Sequence, residues 1–189
     1  MKRVVIVHGY KGKPNTNWKP WLKTELQAEG YTVDVPEMPN TDHPVAEEWH
    51  QTLVNTIGNP DVELYLIGHS LGCITILRYL ETLASNQKVG GVILVAGFGE
   101  RFPKYTSGSH DSFFDHPLDW QEIRKHSDNF VAIHSSDDPA IGLGQLELFK
   151  VNLGAKAVAV QGFGHFGSAD NVYEIPIVKD ELYAIDDHL

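Results

Sequence analysis

Six short apolar runs punctuate the chain: "RVVIVHG", "YTVDVPE", "VELYLIG", "GGVILVAG", "NFVAIHS" and "AKAVAVQG". Several are nearly continuous in their hydrophobicity and do not alternate with polar residues, the pattern of strands covered on both faces, as in a parallel sheet. Between them lie segments of helical period. "PWLKTELQAEG" opens with Pro20 and stops at Gly30, and "PVAEEWHQTLVNTIG" has Pro44 and Gly58 in the same places, a proline-in, glycine-out punctuation that marks helix ends. After Gly72, "CITILRYLETLAS" puts Ile74, Leu77, Tyr79, Leu80 and Leu83 largely on one side, so this helix should lie on the sheet. Strand and helix in alternation predict a doubly wound α/β fold of about six mostly parallel strands flanked by helices. Ligands of such sheets bind beyond the carboxyl ends of the strands. At 189 residues the chain reads as one domain, residues 1–189, with a single sizeable core.

The third run passes into its helix through "GHSLG", Gly68 to Gly72. G-x-S-x-G between a strand and a helix is the setting of a nucleophile elbow, a sharp turn that holds a serine hydroxyl outward in strained backbone. The glycines leave room where the turn is tightest. A serine that merely caps the helix is the plainer reading. Ser70 as a nucleophile requires a histidine base and an acid to orient it. "NFVAIHSSDDPAIG" ends one strand with Asp137 and Asp138, and "AKAVAVQGFGHFG" ends the next with His165. All three functions then fall on one edge of the sheet in the chain order Ser, Asp, His. Spacing alone does not separate the two adjacent carboxylates. Among the 10 histidines, His134 is the runner-up base, and His69, beside the serine, reads as a packing residue. The oxyanion of an acyl transfer needs two backbone N–H donors, for which Leu71 and Tyr10 are expected, with Lys11 as the alternative to Tyr10.

The pieces "HGY", "NWKPWLKTEL", "MPN", "GHSLGC", "GGVILVAGF", "SSDDP" and "GFGHF" together resemble the small α/β-hydrolases of the YdeN and retinoblastoma-binding serine hydrolase group, over nearly the whole length. The resemblance implies a compact α/β-hydrolase fold without a large cap domain, weak activity on small esters, and Ser70, Asp138 and His165 as nucleophile, acid and base. It favours Asp138 because the family's acid directly precedes proline, as Asp138 precedes Pro139; Asp137 becomes a solvated turn residue. A hydrolase-shaped binding or regulatory protein with little turnover is the alternative, and a protein partner fits it.

Rival chemistries find little support. No dinucleotide or P-loop glycine pattern follows the first strand, and no H-E-x-x-H occurs; His110, Asp111, Asp115 and His116 form only a loose polar cluster. Neither cofactor nor metal is expected. The substrate is expected to be a small acyl molecule. A formal net charge of -10 disfavours nucleic acid and anionic membrane partners. Cys73, the one cysteine, excludes an internal disulfide and reads as a buried packing residue, in keeping with a cytoplasmic location. "KDEL" at 179 to 182 is internal and is no retention signal. The irregular stretch from Phe98 to Pro117, with several aromatics, reads as a lip over a pocket.

Overall fold

A computed structural model describes residues 1–102, 108 and 110–186. Six strands, β1 (Arg3–Val7), β2 (Thr32–Asp34), β3 (Leu64–His69), β4 (Gly91–Val95), β5 (Phe130–Ser135) and β6 (Lys156–Val160), form one sheet in the order β2-β1-β3-β4-β5-β6. Every pairing is parallel. The six expected strands are these six.

Helices cover both faces. Val5, Val7, Leu66, Leu94 and Ala132 point to one side, where α2 (Ala46–Ile57), α3 (Leu71–Leu80), α4 (Trp120–Lys125) and α5 (Leu143–Leu153) bring Trp49, Ile74, Leu77, Ile123 and Phe149. The alternate residues Val4, Ile6, Ile67, Ile93 and Ile133 point to the other, against α1 (Lys19–Ala28) and α6 (Pro176–Asp186) through Leu22, Leu26, Val178 and Leu182. Each core side chain so enclosed contributes about 1.5–3 kcal/mol from leaving water. Burial is uneven at the margins. Edge strand β6 is exposed or half-buried at every position, so its apolar run does not mark a strand covered on both faces.

Helix α3 stops at Leu80, short of the expected Leu83 side of the stripe. The chain tightens there into turns, Thr82 donating to the Tyr79 carbonyl at 3.0 Å and Leu83 to Leu80 at 3.2 Å. The Glu81 carboxylate turns away to accept from Arg78 at 2.9 Å and from the Asp119 amide at 2.5 Å.

The chain reverses its winding after β1, since β2 and β3 lie on opposite sides of it. The crevice at this switch point is where an open α/β sheet binds ligands. It is walled by the residues after β1 and after β3.

Candidate active site

Ser70 occupies the turn from β3 to α3 with φ 53° and ψ −118°, a left-handed conformation that costs a non-glycine residue about 1–3 kcal/mol. Its surroundings hold it there. The Ser70 amide donates to the Val95 carbonyl at 2.9 Å, and the Ser70 carbonyl accepts from the Cys73 amide at 2.9 Å. A Cβ on Gly68 would stand 2.8 Å from Cys73 Cα, and one on Gly72 would stand 2.8 Å from the His8 carbonyl oxygen. Both are contacts that real side chains do not make, so the two glycines of the motif let strand, turn and helix close on one another.

His165 Nε2 lies 3.0 Å from Ser70 Oγ, and His165 Nδ1 lies 2.8 Å from Asp138 Oδ2. A carboxylate only accepts, so Nδ1 carries the proton and Nε2 is free to accept from the serine hydroxyl. The Asp138 side chain is 0% exposed and that of His165 27%. The other carboxylate oxygen, Asp138 Oδ1, accepts from the amides of Ala140 at 2.7 Å and Ile141 at 3.0 Å, which fixes its plane. An alcohol, an imidazole and a buried carboxylate from three strand ends thus form one hydrogen-bonded line.

Asp137 is exposed, but it is more than a solvated turn residue. It accepts from Ser135 Oγ and, at 3.0 Å, from the Gly162 amide, tying the end of β5 to the loop that carries His165. The Ser135 hydroxyl, then the Gly162 N–H, hold its carboxyl below the usual range. Residues that the sequence did not single out pin the rest of that loop. Asp170 Oδ2 accepts from the amides of His165 and Gly167, each at 3.1 Å, and Trp18 Nε1 donates to the Phe166 carbonyl at 3.1 Å. His69 Nε2 donates to the His165 carbonyl at 2.8 Å. Burial, with the neighbouring His165 second, pushes His69 well below the ordinary imidazole pKa, so it stays neutral and keeps this bond. Packing is therefore only part of its role.

His134 is 0% exposed, its ring set against Phe149 with centroids 6.1 Å apart. Among the described residues its nitrogens have no hydrogen-bond partner, and burial pushes it down to about 4. Ser70 Oγ is met by His165 instead. Cys73 is buried beneath the elbow, 3.5 Å from the Val95 carbonyl, with its thiol pKa raised by burial. Among the described residues no three His, Cys, Asp or Glu side chains are grouped to hold a metal ion, and no helix is long and apolar enough to cross a membrane.

The loop after β1 meets the elbow directly: a Cβ on Gly9 would stand 2.9 Å from Ser70 Cβ. The Lys11 amide is committed to the Thr41 carbonyl at 3.1 Å, which leaves Tyr10 the better placed amide of the two. Leu71 is the first residue of α3, where backbone N–H groups have no partner within the helix. In the 98–117 stretch, Asp111–Phe114 forms a 3-10 turn. Phe113 packs on Trp49 and Phe98 on Phe102 and Phe114, while residues 103–107 and 109 of the expected lip lie outside the described residues.

The profile of the serine hydrolase family matches residues 4–184. The chain is 36% identical over 181 residues to YdeN of Bacillus subtilis, covering 96% of this chain and 94% of that one. It is 27% identical over 189 residues to the serine hydrolase RBBP9 of Rattus norvegicus, covering 95% of each. The crystal structure of the B. subtilis ydeN product superposes with a TM-score of 0.91 at 33% identity, over 99% of this chain and 100% of that one. An α/β-hydrolase from a Paenibacillus species, at 14% identity, shares the fold with a TM-score of 0.70 over 98% of this chain and 99% of its own. A family profile that spans all six strands, joined to a relative above 30% identity along nearly the full length, makes this chain a member of the serine hydrolase family on an α/β-hydrolase fold.

Proposed function

We propose that the protein is a carboxylesterase-like enzyme that cleaves a small carboxylic ester through an acyl-enzyme on Ser70. The observation that carries this reading is the line from Ser70 Oγ to His165 Nε2 at 3.0 Å and from His165 Nδ1 to the buried Asp138 at 2.8 Å. His165 Nε2 takes the hydroxyl proton as Ser70 Oγ bonds to the ester carbonyl carbon. The carbonyl oxygen becomes an oxyanion and accepts from the Tyr10 and Leu71 amides. Collapse of the tetrahedral species breaks the bond to the alkoxy group, which leaves with the proton from His165. Water then repeats the sequence: His165 takes its proton, the hydroxyl adds to the acyl carbon, and Ser70 departs with that proton. Asp138 keeps its negative charge throughout, orienting the imidazole and stabilising the imidazolium. No cofactor takes part, and the single buried thiol of Cys73 suits a reducing compartment such as the cytoplasm.

Hydrolysis of p-nitrophenyl acetate and butyrate tests the reading. The wild type should turn over and Ser70→Ala should fall to the uncatalysed background. A Ser70→Ala protein with wild-type turnover overturns it, and a folded wild type inert towards a broad ester panel favours the binding-protein alternative.

A further inference from the structure

The main chain is strained immediately after the base. Phe166 has φ 56°, left-handed backbone that a side chain of its size adopts only where its surroundings impose it. Its ring is 0% exposed and stacks on Phe163 with centroids 5.4 Å apart. Something must hold this turn closed.

Every backbone N–H and carbonyl from His165 to Gly167 is bonded. Asp170 takes the amides of His165 and Gly167, Phe166 donates to the Phe163 carbonyl at 2.8 Å, and the Gly167 carbonyl accepts from the amides of Asp170 at 3.1 Å and Val172 at 3.3 Å. These partners belong to the loop itself and move with it, so they give it shape without giving it a place. Among the described residues, two bonds reach this stretch of main chain from outside the loop. They fall on consecutive carbonyls: His69 Nε2 donates to that of His165 at 2.8 Å, and Trp18 Nε1 to that of Phe166 at 3.1 Å.

The two donors support one another, because the Trp18 and His69 rings meet edge to face with centroids 5.8 Å apart. Trp18 is 0% exposed, and Nζ of Lys19, itself 1% exposed, lies 5.6 Å from its ring centroid. An indole so enclosed does not turn, and its N–H keeps one direction. Asn17, with φ 57°, adds a second tie from the same segment, its side-chain oxygen accepting from Ser168 Oγ. The stretch from Tyr10 to Trp18 thus carries the oxyanion amide assigned above at one end and grips the base loop at the other.

We propose that Trp18 is a positioning residue for His165: its N–H holds the Phe166 carbonyl, keeps the strained turn closed and so keeps the imidazole in line between Ser70 and Asp138. The assignment rests on the acyl-enzyme reading above. Without that donor the peptide after Phe166 rotates towards unstrained backbone and draws His165 with it. A reacting group displaced by about 1 Å loses about a hundredfold in rate. Trp18 is enclosed and does not meet the substrate, so the loss falls on turnover and not on binding.

Hydrolysis of p-nitrophenyl acetate by wild type, Trp18→Phe, His165→Ala and the double variant, each checked by thermal melting, is the test. Trp18→Phe keeps an aromatic ring and removes the N–H; kcat should fall roughly tenfold to a hundredfold with KM within about twofold. In the His165→Ala background the same substitution should change kcat by less than about twofold, because a residue that acts through the imidazole then has nothing to position. If Trp18→Phe does not fold, 3-benzothienylalanine at position 18, which fills the place of the indole and lacks the N–H, replaces it in the series. Wild-type kcat in a folded variant overturns the proposal. So does an equal loss in both backgrounds, which would mean that Trp18 does not act through His165. Ser70→Ala in the same series separates the two claims: if it is inactive while Trp18→Phe is unaffected, the positioning role alone falls.

Discussion

Lys19→Met replaces a buried ammonium by an uncharged side chain of similar length, and the structure gives the size of its effect on folding. Burial takes the lysine from 10.5 to about 8, a difference that corresponds to about 3 kcal/mol. The unfolded chain holds its proton up to 10.5, while the folded chain gives it up near 8. The unfolded state therefore binds more protons between these values, and stability rises with pH across that window. Below pH 8 the full penalty is present; above 10.5 it is gone. Methionine removes the penalty and also removes the contact with Trp18, worth about 0.5–1 kcal/mol. The net expectation is a gain of about 2 kcal/mol at pH 7, or a rise in Tm of about 4–8 °C for a chain of this size. At pH 9.5 the gain should shrink to under about 1 kcal/mol. Calorimetry of wild type and variant at the two pH values measures both. A variant no more stable at pH 7, or an advantage that does not change with pH, refutes the reasoning.

Asp138→Asn should lower kcat by up to about 10⁴, because the wrong tautomer of His165 is then favoured; Asp137→Asn should leave kcat within about tenfold, since its bonds go to Ser135 and Gly162, and kinetics of the two variants side by side decide the acid. Gly72→Ala sets a methyl 2.8 Å from the His8 carbonyl oxygen and should destabilise the fold by more than about 2 kcal/mol, read by urea unfolding. His69→Phe keeps the ring but loses the 2.8 Å bond to the His165 carbonyl, so kcat should drop roughly tenfold with KM little changed.

The strands and the first three helices were legible because burial on both sheet faces writes long apolar runs, and because prolines and glycines mark their ends. The outer elements were less so. In α5, Leu143 and Val151 are exposed while Gln145 is buried, which blurs the 3.6-residue stripe, and β6 carries the composition of an inner strand on an open edge. That Ser70, the Asp137–Asp138 pair and His165 would meet was legible because each follows a strand on the same edge of a parallel sheet; which of the two carboxylates faces His165 was implied only by the resemblance, and it is Asp138 that lies on Nδ1. What holds His165 was not legible. Asp170 and His69 act through backbone bonds in a loop with no period of its own, and a sequence does not announce which polar side chain will meet a main-chain group. Lys19 sits in "NWKPWLKTEL" as an ordinary charged residue at a helix start; only the packing reveals that it is buried, with no carboxylate paired to it among the described residues.

The central claim is that Ser70 is a nucleophile activated by His165. Labelling with a fluorophosphonate probe, followed by peptide mass spectrometry, tests it most directly. One adduct per chain on the peptide containing Ser70, absent in Ser70→Ala and strongly slowed in His165→Ala, is the expected result. Labelling of another residue, or equal labelling of wild type and Ser70→Ala, contradicts it.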